Sequence, residues 1–281
     1  DSFLEAKQVE EKDRFSDLTE KGNPKIEQIS LGLDGAHPVQ ELQYYRHIGR
    51  TLQPDITIMS LYIENDLIVK QPEFELMGTG ADLRIGNVRV PPPASPNWRM
   101  RLGGTLTFLQ EAQRLIRGLK NEQFLKSGAA RRTPRLKGKL AAFWNETIPG
   151  QKDLENNESW KITLAAIRTL RDEVQTDGGK FLVLLIPSPL EVQSEYFKKI
   201  VELNKPYGIQ KEHWNINYLH DRIVRELQRM DIFTIDPRAA LIRKAEQAPV
   251  YFEKDAHLNE AGHRIVADHL LRTLLPLIPT P

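Results

Sequence analysis

The order of apolar and polar positions along the chain predicts alternating strands and helices. Ile56–Ile63 ("ITIMSLYI") and Phe181–Ile186 ("FLVLLI") are almost continuously apolar, Ile26–Leu31 alternates loosely, and Asp231–Ile235 ("DIFTI") is a shorter run. Short β-branched runs bounded by Gly, Pro or Asp read as strands buried on both faces, as in a parallel sheet. Helical spacing links Val39, Leu42, Tyr45 or Arg46, Ile48 and Leu52. It recurs at Trp160, Leu164, Ile167, Leu170 and Val174; at Leu219, Ile223, Leu227 and Met230; and at Ile265, Val266, His269, Leu270 and Leu274. Strands alternating with helices predict βαβ units in a doubly wound α/β domain.

Two stretches interrupt this rhythm. Residues 72–100 are rich in Gly and Pro, with "VPPPASP" at Val90–Pro96, and read as loop rather than core. A helical piece near Leu106–Leu119 follows, then a basic tract of Lys126, Arg131, Arg132, Arg135, Lys137 and Lys139. Residues 70–155 therefore read as an insertion or lid within a single domain of residues 1–281. The basic tract reads as a solvated face, since Lys and Arg usually face water, with contact to an anionic polymer or membrane surface as the alternative. Trp98, Phe108 and Trp144 read first as packing of the insertion onto the domain, and second as a sugar platform.

Composition narrows the chemistry. The 281 residues are 40% hydrophobic and 27% charged with a net charge of +1, which suits a globular protein and argues against wholesale nucleic-acid binding. There is no Cys, which excludes thiolate catalysis, disulfides and Cys-ligated metal sites. The longest apolar run, Phe181–Pro187, is far shorter than the roughly 20 residues of a membrane span. His263 and His269 stand six apart on the last helix, off a common face, so no metal pair is expected there.

The candidate chemistry lies near the C-terminus, in "YFEKDAHLNEAGHRIVADHL". Asp255 and His257 precede an amphipathic helix for which Asn259 is a plausible N-cap. Residues two apart in an extended loop point the same way, so Asp255 can reach His257. A carboxylate and an imidazole so placed supply the base and its orienting acid for a serine nucleophile. Ligands of parallel sheets bind beyond the carboxyl ends of the strands. Two further segments reach that edge: "GLDGAHP", where Gly35 brings a backbone N–H close, and "END", where Asn65 offers an amide donor.

Read together with the opening "DSF", the order Ser2, Gly35, Asn65, Asp255-x-His257 resembles the SGNH (GDSL) hydrolase family. The resemblance spans roughly residues 1–70 and 160–275; the insertion has no counterpart. It implies a flavodoxin-like three-layer α/β/α parallel sheet, with Ser2 as nucleophile, His257 as base and Asp255 as its orienting acid. The oxyanion hole it implies is formed by the Ser2 and Gly35 N–H groups and the Asn65 amide. The implied activity is a serine esterase acting on a carboxylic ester, O-acetyl groups on carbohydrate included, without metal or organic cofactor. Acyl transfer to a sugar hydroxyl and an inactive carbohydrate-binding relative are the alternatives. An extracytoplasmic location, with a membrane anchor upstream, is implied by resemblance alone.

The sequence departs from the family pattern at three places. Glu64 and Ile63 occupy positions where the third block often has Gly, so a carboxylate threatens to charge the oxyanion hole. The last block reads Asp-x-His rather than Asp-x-x-His. The Gly before "DSF" and the strand that carries it are absent, and that first strand is expected between the 26–31 and 56–63 strands. The sequence is therefore expected to have lost an N-terminal piece.

Overall fold

Ile56–Tyr62 (β1) and Lys180–Ile186 (β4) pair in parallel over their full lengths, from Ile56 opposite Lys180 to Tyr62 opposite Ile186. Phe233–Ile235 (β5) continues the sheet in parallel on the far side of β4, giving the order β1-β4-β5. This computed structural model describes residues 2–32, 35–64, 66–67, 74–88, 154, 157–205, 210–253 and 255–278.

The continuous apolar runs are explained by burial on both faces. Alternate residues of β4 point to opposite sides: Phe181, Val183 and Leu185 enter one core, Leu182, Leu184 and Ile186 the other. On the first side the sheet packs on Pro38–His47 (α3), Glu158–Thr176 (α4) and Tyr218–Arg229 (α7). On the second it meets Ser2–Glu5 (α1), Phe15–Gly22 (α2), Arg238–Ala245 (α8) and Glu260–Leu274 (α9). Pro189–Val192 (α5) and Ser194–Asn204 (α6) follow β4 and frame a small cluster of Leu190, Val201 and Trp214. The result is a three-layer α/β/α arrangement around a parallel sheet.

The expected strands at 56–63, 181–186 and 231–235 appear as β1, β4 and β5, the last shortened because Asp231 takes a left-handed turn at φ +53°. The expected strand at 26–31 does not form. Ile29 is 55% exposed, and a Cβ on Gly32 would lie 2.5 Å from the Glu5 amide nitrogen. The chain passes close to α1 at Gly32 and does not enter the sheet as a strand over 26–31. The expected loop at 72–100 is also corrected. Phe74–Met77 (β2) and Arg84–Val88 (β3) form an antiparallel pair with Ile85 fully buried. Gly78 turns it at φ +78°, and Arg46 of α3 donates to the Gly86 and Ile85 carbonyls at 2.6 and 3.0 Å. The helix expected near 106–119, the basic tract and Trp98, Phe108 and Trp144 lie outside the described residues.

All four helical patterns form. Asn157 caps α4 by accepting from the Trp160 amide at 3.1 Å. In α3 the apolar face stops at Tyr45: Ile48 and Leu52 fall in a following turn and are 47% and 45% exposed. No helix among the described residues is long and apolar enough to cross a membrane.

Candidate active site

The site is assembled from two distant stretches. Ser2 opens α1, whose Phe3 is buried, and the short helix closes with the Ala6 amide donating to the Ser2 carbonyl at 2.9 Å. Asp255 and His257 sit in a tight loop whose flanks, Tyr251 and Leu258, form an antiparallel bridge. The Phe252 amide donates to the His257 carbonyl and the Asn259 amide to the Val250 carbonyl, each at 3.0 Å. The loop is tied to the sheet by the Tyr251 hydroxyl, which donates to the Pro187 carbonyl at 2.6 Å. Gln193 adds a side-chain oxygen that accepts from the Val250 and Tyr251 amides, each at 2.9 Å. Beyond the loop, Asn259 caps α9 as expected, accepting from Ala261 and Gly262 at 3.0 and 3.1 Å.

These anchors bring three of the expected residues together. His257 Nε2 lies 2.9 Å from Ser2 Oγ. His257 Nδ1 contacts Asp255 Oδ1, and the same oxygen accepts from the His257 amide at 3.3 Å. The imidazole is therefore held at one nitrogen by a carboxylate and presents the other to a hydroxyl. Its ring rests on Phe3 at 4.6 Å between centroids, and Phe3 rests on Tyr62 at 4.4 Å. The side chains of His257 and Asp255 are 22% and 37% exposed, so the pair is open to a reactant.

The remaining expected donors fare differently. Gly35 adopts φ +74°, a left-handed turn, and a Cβ there would meet nothing within 4 Å. The left-handed backbone, rather than a close approach, is what asks for glycine at this position. Asn65 lies outside the described residues. Glu64, expected to threaten the oxyanion hole, is 8% exposed and accepts a hydrogen bond from the Ser188 hydroxyl.

Sequence reasoning passed over Ser188 and Glu191. Their signal was present as "SPLE" directly after an apolar strand, a capping-box pattern. The Ser188 amide donates to Glu191 Oε2 at 2.8 Å, and Ser188 Oγ accepts from the Leu190 amide at 3.0 Å. It also passed over His220, fully buried between Asp236 at 2.9 Å and Glu191 at 3.2 Å. His263 is buried beneath the site, where its Nδ1 accepts from the Phe15 amide at 3.3 Å and its ring stacks on Phe15. Among the described residues no group of three or more His, Asp or Glu is placed to hold a metal ion.

Residues 145–279 match the family model described as SGNH hydrolase-like domain, acetyltransferase AlgX. The matched stretch runs through β4 and β5 to the end of α9 and includes Asp255 and His257; Ser2, Gly35 and Asn65 precede it. No curated protein and no solved structure matches the chain. The parallel three-layer core and the match over residues 145–279 agree, and together they support membership of the SGNH hydrolase family.

Proposed function

We propose that this protein transfers an acyl group, acetyl in the first instance, through a covalent ester on Ser2, and that the acceptor is a carbohydrate hydroxyl. One observation carries the reading: Ser2 Oγ lies 2.9 Å from an imidazole whose other nitrogen is held by Asp255. That is the arrangement a hydroxyl needs to become a nucleophile near neutral pH.

The chemistry runs in two halves. Ser2 Oγ bonds to the ester carbonyl carbon while its proton passes to His257 Nε2, and Asp255 steadies the imidazolium. The tetrahedral oxyanion is met by the Ser2 and Gly35 N–H groups and the Asn65 amide, each such donor contributing about 3 to 4 kcal/mol in the transition state. The carbonyl–oxygen bond to the donor alcohol then breaks, and His257 returns its proton to that leaving oxygen. In the second half an acceptor hydroxyl gives its proton to His257 and attacks the acyl-serine, which restores the Ser2 hydroxyl.

Transfer to a hydroxyl is favoured by the matched family's description as an acetyltransferase. Hydrolysis is the second reading, supported by the exposure of His257 and Asp255, which leaves water a path to the acyl-serine.

The test has two stages. A fluorophosphonate probe followed by peptide mass spectrometry is expected to label Ser2, and labelling is expected to fall by on the order of three decades or more in His257→Ala. An aryl acetate is then supplied with and without oligosaccharide. Acetylated sugar in excess of free acetate supports transfer, and acetate alone supports the esterase. No labelling of Ser2 overturns both and leaves a carbohydrate-binding relative.

A further inference from the structure

A continuous chain of polar contacts crosses the carboxyl ends of all three parallel strands. Glu64 stands two residues beyond β1, Ser188 two beyond β4, and Asp236 directly after β5. The Ser188 hydroxyl donates to Glu64, and the Ser188 amide donates to Glu191 at 2.8 Å. Glu191 Oε1 meets His220 Nδ1 at 3.2 Å and Arg238 Nη1 at 3.3 Å, and His220 Nε2 meets Asp236 at 2.9 Å. The contacts that join this chain are separate from the Ser2–His257 and His257–Asp255 contacts. Burying several ionisable groups is costly unless their contacts fix something.

What they fix lies at the Glu64 end. Tyr62, two residues earlier on β1, is the base of the ring column Tyr62–Phe3–His257. Phe3 is the neighbour of Ser2 in sequence, so one column supports both the nucleophile's helix and the imidazole. Tyr196 of α6 senses both sites: burial first, then the charges of Glu64 and Asp255, raise its phenol.

We propose that Glu64 is a positioning residue for acyl transfer: its carboxylate, held by the Ser188 hydroxyl, locks the ends of β1 and β4 together and so sets the column that holds His257 at Ser2. The inference rests on the serine acyl-transfer reading. The groups facing Glu64 are Tyr62 from β1, Ser188 and Glu191 at α5, Tyr196 from α6, and Tyr251 from the loop before α9. Burial pushes its carboxyl up, the Ser188 and Tyr62 hydroxyls pull it back, and Glu191 adds to the rise, leaving it at about 7. The lock therefore strengthens as pH rises through neutrality and Glu64 becomes a full acceptor for the hydroxyls around it.

The experiment is the rate of fluorophosphonate labelling at Ser2 from pH 5 to 9, with thermal melts alongside. The wild-type rate is expected to show a step near neutrality as Glu64 ionises. Glu64→Gln is expected to lower the plateau roughly ten- to hundred-fold, the range a small misplacement of a reacting group costs. Its profile is expected to lose the step near neutrality. Ser188→Ala is expected to give a similar loss, and the double variant no more than either alone, because both act through one contact. A folded Glu64→Gln with the wild-type rate and profile overturns the inference. If Glu64→Gln does not fold, a wild-type rate in Ser188→Ala overturns it equally. Labelling that survives in Ser2→Ala overturns the acyl-transfer reading instead, which separates the two failures.

Discussion

Two buried histidines, His220 and His263, are driven in opposite directions by their neighbours. Burial draws the His220 imidazole down, but hydrogen bonds to Asp236 and Glu191 outweigh it and raise it to about 9. For His263, burial, followed by the charges of His257 and Arg14, outweighs the opposing charge of Asp13 and lowers it to about 4. His220 thus adds stability in full below its ordinary value of 6.5, and that stability is lost as pH rises through about 9. His263 acts in reverse: stability is intact above 6.5 and drains away as pH falls toward about 4. Ring NMR titration is expected to find His220 still protonated at pH 8 and His263 still neutral at pH 5; a shared titration near 6.5 contradicts both. The contrast explains what was legible at this scale. Asp255-x-His257 could be read from the chain because both members lie two positions apart. The partners of His220 could not, because Glu191 and Asp236 come from different strand ends and meet it only after folding. Glu64 was read as a threat to the oxyanion hole because its partner, Ser188, lies 124 residues away.

At the scale of elements, legibility followed burial on both faces. β1 and β4 announced themselves because each is covered by helices on either side. The 26–31 stretch alternates only loosely and has no such cover, and the β2–β3 pair was hidden because four- and five-residue strands beside Gly-rich turns carry little period. That pair is held by Arg46, which forks between the Gly86 and Ile85 carbonyls and also pairs with Glu173 at 2.6 Å. Lys cannot reproduce the fork, so Arg46→Lys is expected to destabilise by roughly 1 to 3 kcal/mol, the cost of leaving polar partners unsatisfied. The measurement is a urea midpoint. A second expectation concerns α9. Alanine normally improves on glycine inside a helix, but a Cβ at Gly262 would lie 2.4 Å from the Val250 carbonyl oxygen. Gly262→Ala is therefore expected to lower the melting temperature and, because Val250 anchors the Asp255–His257 loop, to slow Ser2 labelling as well. A stabilised variant with unchanged labelling contradicts this.

For the whole molecule, stability rests largely on two cores on opposite faces of one sheet. Leu184 sits at the centre of β4, 1% exposed, facing the core that contains Phe3, Tyr251 and Leu258. Leu184→Ala is expected to cost roughly 2 to 5 kcal/mol. Val183 and Leu185, each one position away on the same strand, belong to the opposite core, which contains neither Phe3 nor the Tyr251–Leu258 loop. Partial denaturation monitored by probe labelling is expected to be more sensitive to Leu184→Ala than to Leu185→Ala at matched loss of stability. Equal sensitivity would show that the two layers yield as one.

The separation of Ser2 and His257 by 255 positions gives the protein one further property. A contact of such high sequence separation is assembled late, after nearly all loop-closure entropy has been spent. On the acyl-transfer reading, the Ser2 hydroxyl is activated only in molecules that have made this contact. A covalent probe therefore counts native molecules one at a time, and the time course of labelling during refolding is a clock for the last step of folding.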